Sequence, residues 1–228
     1  MPSSDALKLS VTVNETQRVS GLLLAPPRAR ACYVLAHGAG AGMAHPFLAA
    51  VAAELGERGI ATLRYQFPYM EQRAKRPDPP ALAQATVRAA VAEAARRVPD
   101  LPLVAGGKSF GGRMTSQAQA AAPLAGVRGL AFLGFPLHPA GRPSDERAAH
   151  LLDVQIPMLF LQGTRDALAD LTLLRLVVER LGKRATLTLF EDADHSLHVP
   201  ARTGRKDPEV RAEMLDALAA WIDTTIAR

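Results

Sequence analysis

Ser109, Asp166 and His195 are the side chains whose types and placement could together open an acyl bond. Ser109 stands in Gly107-Lys108-Ser109-Phe110-Gly111, between an apolar run, Leu101 to Ala105, and a stretch rich in helix formers, Arg113 to Ala122. Strand, tight turn and helix are the expectation. A serine at such a turn is forced into a strained backbone conformation that pushes its Oγ out past the sheet. The residues two before and two after must be small. Gly107 and Gly111 meet that demand, with Gly106 and Gly112 as spare room. The following helix aims its N-terminal amides at whatever binds the serine. A neutral serine needs a base to take its proton. Histidine suits that task because its pKa lies near operating pH, and an aspartate fixes its tautomer and stabilises the imidazolium.

Other readings of the same residues are weaker. Gly107-Lys108-Ser109 imitates the end of a phosphate-binding loop, but the glycine required five positions before Gly107 is Pro102, which has no amide to offer. His37-Gly38-Ala39-Gly40-Ala41-Gly42 imitates a dinucleotide fingerprint. The third glycine is displaced by Met43, and Arg64 and Tyr65 stand where an acidic residue belongs. The glycines suit a loop whose bare backbone approaches a reacting oxygen. The Phe110 amide is the first expected donor to that oxygen, and the second is expected from this loop, at Ala39 with Gly40 the runner-up. Among rival bases, His198 lies a step beyond the strand end and His138 follows a different strand. His37 reads as a structural hydrogen-bonder. Asp170 is expected one turn into a helix, which leaves Asp166 as the acid. Asp192 and Asp194 read as solvated loop charges that could still raise the basicity of His195.

Several elements must deliver these residues to one place. Leu7 to Val13 alternates Leu7, Leu9, Val11 and Val13 on one side, and Val19 to Ala25 follows as its hairpin partner. Ala31 to Ala36 is apolar throughout, as befits a strand covered on both faces. Pro46 to Arg58 carries Leu48, Val51 and Leu55 at helical spacing, and Ile60 to Tyr65 is the next strand. Gln66 to Pro80 reads as a long polar loop. Ala81 to Val98 is a helix with Val87, Val91, Ala94 and Val98 on one stripe. Gly129 to Phe135, Pro157 to Gln162 and Thr186 to Phe190 complete the strands. Leu171, Leu174, Val178 and Leu181 mark one late helix, and Val210, Met214, Ala217 and Trp221 the last. Alternating strands and helices predict an open, mostly parallel α/β sheet, whose ligands bind beyond the carboxyl ends of its strands. His37-Gly38, Ser109, Asp166 and His195 all fall at such ends.

The composition is that of a folded globular chain, 48% hydrophobic over 228 residues, most simply a single domain spanning 1–228. The stretch Met1 to Asp5 lacks a secretory pattern, and no apolar run reaches the roughly 18 residues that span a bilayer. The lone Cys32 fits a reducing cytoplasm and reads as packing. The net charge of +5 is scattered, and its one cluster, Arg73-Ala74-Lys75-Arg76, has no aromatic interleaving, so no nucleic-acid partner is inferred. No membrane partner, cofactor or metal is called for.

The chain resembles the α/β-hydrolase superfamily over nearly its whole length, through five segments in order. They are His37 to Gly42, Gly106 to Arg113, Gly134 to Pro139, Gln162 to Asp166 and Ala193 to Ser196. The order Ser109, Asp166, His195 is also that superfamily's order. The closest likeness is to the small dienelactone-hydrolase-like group that also includes a testis-expressed animal protein and a subunit of the animal non-specific-lethal chromatin complex. The resemblance implies an eight-stranded sheet with one antiparallel strand and a Ser-His-acid triad. Dienelactone hydrolases use cysteine, so Ser109 argues against that particular activity. Only Phe135 to about His150 is available for a lid, too short for a separate domain. Phe67, Tyr69, Met70, Phe110 and Leu137 are then the expected pocket walls. Lys108, Arg64 and the Arg73 to Arg76 loop could favour an anionic substrate, but read better as surface charges. The activity implied is hydrolysis of small carboxylic esters, with thioester, amide or peptide substrates and a non-catalytic interaction role as alternatives.

Overall fold

Strand pairing in the computed structural model, which describes residues 6–227, follows the order β1-β2-β4-β3-β5-β6-β7-β8 in one sheet. The strands are β1 (Leu7–Thr12), β2 (Arg18–Leu24), β3 (Ala31–Ala36), β4 (Ile60–Tyr65), β5 (Leu103–Lys108), β6 (Val127–Leu133), β7 (Met158–Gly163) and β8 (Ala185–Phe190). β2 runs antiparallel to both β1 and β4, and the pairs from β4 through β8 are parallel. That is the sheet the resemblance implies. The reading of Met1 to Asp5 lies outside the described residues.

Side chains alternate across the sheet and so build two cores. Tyr33, Leu35, Val104, Leu133 and Leu161 face α1 (Pro46–Glu57) and α6 (Asp207–Ile226). Val34, Ala36, Ala105, Phe132 and Phe160 face α3 (Pro80–Arg97), α4 (Phe110–Ala121) and α5 (Leu171–Leu181). Burial on both faces explains why the central strands are apolar at every position rather than every second one. On the second face Phe132, Phe135 and Phe160 pack ring against ring at 4.9–5.7 Å between centroids. Each such ring, fully buried, contributes about 2–3 kcal/mol.

Several boundaries differ from the sequence expectation, and the differences are physical. The strand before Ser109 runs to Lys108, and α4 begins at Phe110, three residues before the helix formers. The elbow dictates that start, overriding the poor helix propensity of Gly111 and Gly112. The loop from Gln66 to Pro80 contains a one-turn helix, α2 (Pro68–Glu71), opened by its proline. Leu7 lies at the sheet edge and is 54% exposed, so the alternating stripe buries only from Val11. In α5 the buried stripe passes through Val177 rather than Val178. In α6 it runs through Leu218 and Ile222, leaving Ala217 and Trp221 half-buried. Trp221 still has a seat, because a Cβ at Gly129 would lie 2.6 Å from its ring.

From β6 to β7 the chain crosses residues 134–157 with a single 3-10 segment, Glu146–Asp153. No lid domain stands there, as expected from its length. Among the described residues no helix is long and apolar enough to cross a membrane.

Candidate active site

Ser109 occupies the turn between β5 and α4 at φ 50°, ψ −116°, a conformation that costs a non-glycine residue about 1–3 kcal/mol. Close backbone packing holds it there. A Cβ on Gly107 would lie 2.3 Å from the Ala36 carbonyl oxygen, and one on Gly111 2.5 Å from that of His37. Gly106 and Gly112 are not spare room. A Cβ on Gly106 would sit 1.8 Å from the Ala131 oxygen and one on Gly112 2.7 Å from the Gly107 oxygen. All four glycines are therefore consumed by contact between backbones.

The three predicted side chains meet. His195 Nε2 lies 2.9 Å from Ser109 Oγ, and His195 Nδ1 lies 2.6 Å from Asp166 Oδ2. A carboxylate only accepts, so Nδ1 carries the proton and Nε2 presents its lone pair to the serine hydroxyl. The Asp166 side chain is fully enclosed. Besides the imidazole it accepts from the Leu168 amide at 2.8 Å and from Gln162 Nε2. Gln162 in turn accepts from the Phe135 amide at 2.8 Å, tying the acid to the end of β6. Sequence reading placed Gln162 in a motif but gave it no task. The available signal was a polar side chain closing the apolar run Met158 to Leu161.

The loops carrying Asp166 and His195 are joined directly. Arg165 N donates to Ala193 O at 2.9 Å and Thr164 N to Phe190 O at 3.0 Å. A side chain at Gly163 would collide with Ala193 O at 2.2 Å. Asp194, expected to be a solvated charge, instead shapes the histidine turn by accepting the amides of Ser196 at 2.7 Å and His198 at 3.0 Å. Asp192 remains partly exposed beside Arg165 and Arg202. His198 is turned to Asp207 and His138 accepts from the Asp170 amide, so neither reaches Ser109. Asp170 caps α5, accepting from Leu173 N, and does not lie a turn inside it. Burial pushes the Cys32 thiol up to about 12, which leaves it a packing group.

His37 is structural. It is wholly buried, Nδ1 donates to the Gly38 carbonyl at 2.7 Å and Nε2 accepts the Phe67 amide at 3.1 Å. Burial lowers its pKa from 6.5 to about 4. The folded state thus binds fewer protons than the unfolded state below pH 6.5. Its contribution is complete above pH 6.5 and is lost as pH falls towards 4, a loss of about 3 kcal/mol. Urea midpoints measured at pH 7 and pH 4 should differ in that direction, and the slope should be shallower in His37→Gln.

Next to His37, the Gly40 amide donates to the Tyr69 hydroxyl at 2.8 Å. That removes the runner-up as an oxyanion donor. The amides of Ala39 and Phe110 find no internal acceptor among the described residues, and Gly38 packs against Ser109, where an added Cβ would lie 3.7 Å from the serine Cβ. Arg64, read as surface charge, is only 6% exposed and donates to Met43 O at 3.1 Å, while Gln66 Oε1 accepts Met43 N at 2.8 Å. Together they hold the far end of the glycine-rich loop. Lys108 is not surface charge either. Its ammonium is enclosed and donates to the His195 main-chain oxygen. The Arg73 to Arg76 loop is exposed.

A cavity of about 360 Å³ opens on Ser109, walled by Ala39, Ala41, Phe47, Leu48 and Leu168 and by polar groups including His45, Lys108 and Ser196. The expected walls are elsewhere. Phe67 is buried against His37, Tyr65 and Phe110, and Leu137 is wholly buried in the core. Tyr69 is buried under the glycine-rich loop, and Met70 packs beside the same core. Their apolar character was spent on packing. The actual walls come from the loop after β3, the start of α1 and the loops after β7 and β8. A second Ser–His pair, Ser116 Oγ and His150 Nε2 at 2.7 Å, was missed in the sequence. Ser116 is fully buried within α4, its hydroxyl lies 2.9 Å from the Arg113 oxygen, and it does not line the cavity.

A family model described as an alpha/beta hydrolase domain matches residues 29–223. Among solved structures, an α/β serine hydrolase without a lid from Xanthomonas campestris superposes with TM-score 0.73 at 22% identity, over 96% of both chains. A dienelactone hydrolase from Anabaena variabilis gives 0.73 at 21% identity, covering 98% of this chain and 97% of its own. An α/β serine hydrolase homologue from Coxiella burnetii gives 0.75 at 17%, covering 93% and 97%. With the family model matched from just before β3 into α6, the chain belongs to the α/β-hydrolase domain family.

Proposed function

We propose that this chain is a serine hydrolase that cleaves small carboxylic esters through an acyl-enzyme, with Ser109, His195 and Asp166 as its triad. The observation that carries the reading is the unbroken relay from the strained Ser109 hydroxyl through the imidazole to an enclosed carboxylate, at 2.9 Å and 2.6 Å. As Ser109 Oγ bonds to the ester carbonyl carbon, its proton passes to His195 Nε2. Asp166 holds the tautomer and stabilises the imidazolium. The oxyanion forms in reach of the Ala39 and Phe110 amides. Collapse expels the alcohol, which takes the proton from His195. Water then loses a proton to His195 as it attacks the acyl carbon, and collapse breaks the acyl–Oγ bond, Ser109 Oγ recovering that proton from His195 as the acid leaves.

The cavity's size and its largely apolar wall suit a short acyl chain or a single ring. The shortness of the β6–β7 connection favours access by soluble esters without a lid movement. The test is a fluorophosphonate probe followed by peptide mapping. Labelling at Ser109 is the expected result, and a folded sample that takes no label overturns the reading.

Tyr69 gives a second measurement on the same site. Tyr69→Phe frees the Gly40 amide beside the expected oxyanion donor. Slackening that loop should lower kcat on the order of 10-fold, because small displacements of oriented groups are costly. Steady-state kinetics on a short nitrophenyl ester check it.

A further inference from the structure

Lys108 precedes Ser109 and lines the same cavity, yet its ammonium is enclosed and ends on the main-chain oxygen of His195. Its Cγ passes beside Gly38, where an added Cβ would lie 3.5 Å away. Its Nζ ends beside Gly134, where an added Cβ would lie 2.9 Å from Nζ and 3.5 Å from His195 Cε1. One side chain therefore touches the loops after β3, β6 and β8. The charged groups facing the ammonium are Asp166 from the loop after β7 and Asp194 from the loop after β8, both of which favour its charge, and the titratable imidazole of His195 lies beside it. The loops after β3 and β6 approach it with glycines. Neither carboxylate forms an ion pair with it; its hydrogen-bond partner is the main-chain oxygen of His195.

Resting on the triad reading above, we propose that Lys108 is a positioning residue: its ammonium, donated to the main-chain oxygen of His195, fixes the loop that presents the imidazole to Ser109. A charge-assisted bond is roughly twice as strong as a neutral one, so an ammonium holds this carbonyl better than an amine would. The glycine at 134 follows from the same need. Its φ of 74° and the closeness of Nζ leave no space for a side chain. Burial lowers the Lys108 pKa to about 8, against the opposing pull of Asp166 and Asp194. The anchor thus weakens within an accessible pH range.

The experiment measures kcat and KM from pH 6 to 9.5 for the parent, Lys108→Met and Lys108→Ala, with Ser109→Ala alongside. In the parent, kcat should fall several-fold through a step near pH 8. Lys108→Met should lose about 10- to 100-fold in kcat with KM within about twofold, and should lack that step. Propylammonium added to Lys108→Ala should restore part of kcat, whereas sodium at equal ionic strength should not. Unchanged kcat in Lys108→Met overturns the proposal, as does an equal loss with the step retained and no rescue. If neither variant folds, the parent decides, and a kcat flat across pH 8 overturns it. Activity surviving in Ser109→Ala would instead indict the triad itself.

Discussion

Ser109→Ala should reduce kcat/KM on p-nitrophenyl acetate by about 10⁴- to 10⁶-fold and abolish fluorophosphonate labelling, while the protein remains folded. Residues of such a relay act as a unit, so removing the hydroxyl removes the acyl-enzyme route altogether. On the proposed function, what persists is the small acceleration owed to binding and to the amides of Ala39 and Phe110. Folding survives because alanine carries the same strain as serine at φ 50°, ψ −116°, and the lost hydroxyl had one modest bond to His195. The companion Ser109→Gly separates strain from chemistry. It should be equally inactive yet more stable than Ser109→Ala by about 1–3 kcal/mol, because glycine relaxes that conformation at no steric cost. Denaturant titration of the two variants reads that difference.

Gly106→Ala should be the most destructive single-methyl change in the chain. The new Cβ would lie 1.8 Å from the Ala131 oxygen, at a φ of 154° that side chains rarely adopt. The obstacle is the backbone of β6 in the middle of the sheet, so no rotamer change relieves it. The only escape is to part β5 from β6, which breaks their ladder and both cores at once. A cost above about 4 kcal/mol is expected, enough to abolish a cooperative urea transition. Gly126→Ala is the control. Its φ is 76° but nothing lies within 4 Å of the added methyl, so it should cost only about 1 kcal/mol. Similar midpoints for the two variants would refute the steric account.

The strands and the relay were legible because they depend on short-range patterns. Ala31–Ala36 and Ile60–Tyr65 match the observed strands residue for residue, since burial on both faces leaves an uninterrupted apolar signature. Ser109, Asp166 and His195 could be picked out because each follows a strand, and parallel strands share one carboxyl edge. The cavity walls were not legible. Phe67, Leu137 and Phe47 are alike in composition, and only the path of α1 decides which faces Ser109. Lys108 and Arg64 were misjudged for a related reason. Each has its partner in a main-chain oxygen, of His195 and Met43, and a carbonyl partner leaves no trace in residue identity. The second Ser–His pair escaped notice because Ser116 and His150 lie on separate segments brought together only by packing.

The four glycines of the elbow also determine where this protein can change. With backbone touching backbone on both sides of Ser109, the surroundings of that residue are closed to substitution. The side chains of Phe47 and Leu168 carry no such duty, although the Leu168 main chain serves Asp166. On the proposed function, acyl preference can thus drift through those two positions while the elbow stays fixed, so innovation in substrate use is decoupled from the risk of losing the fold.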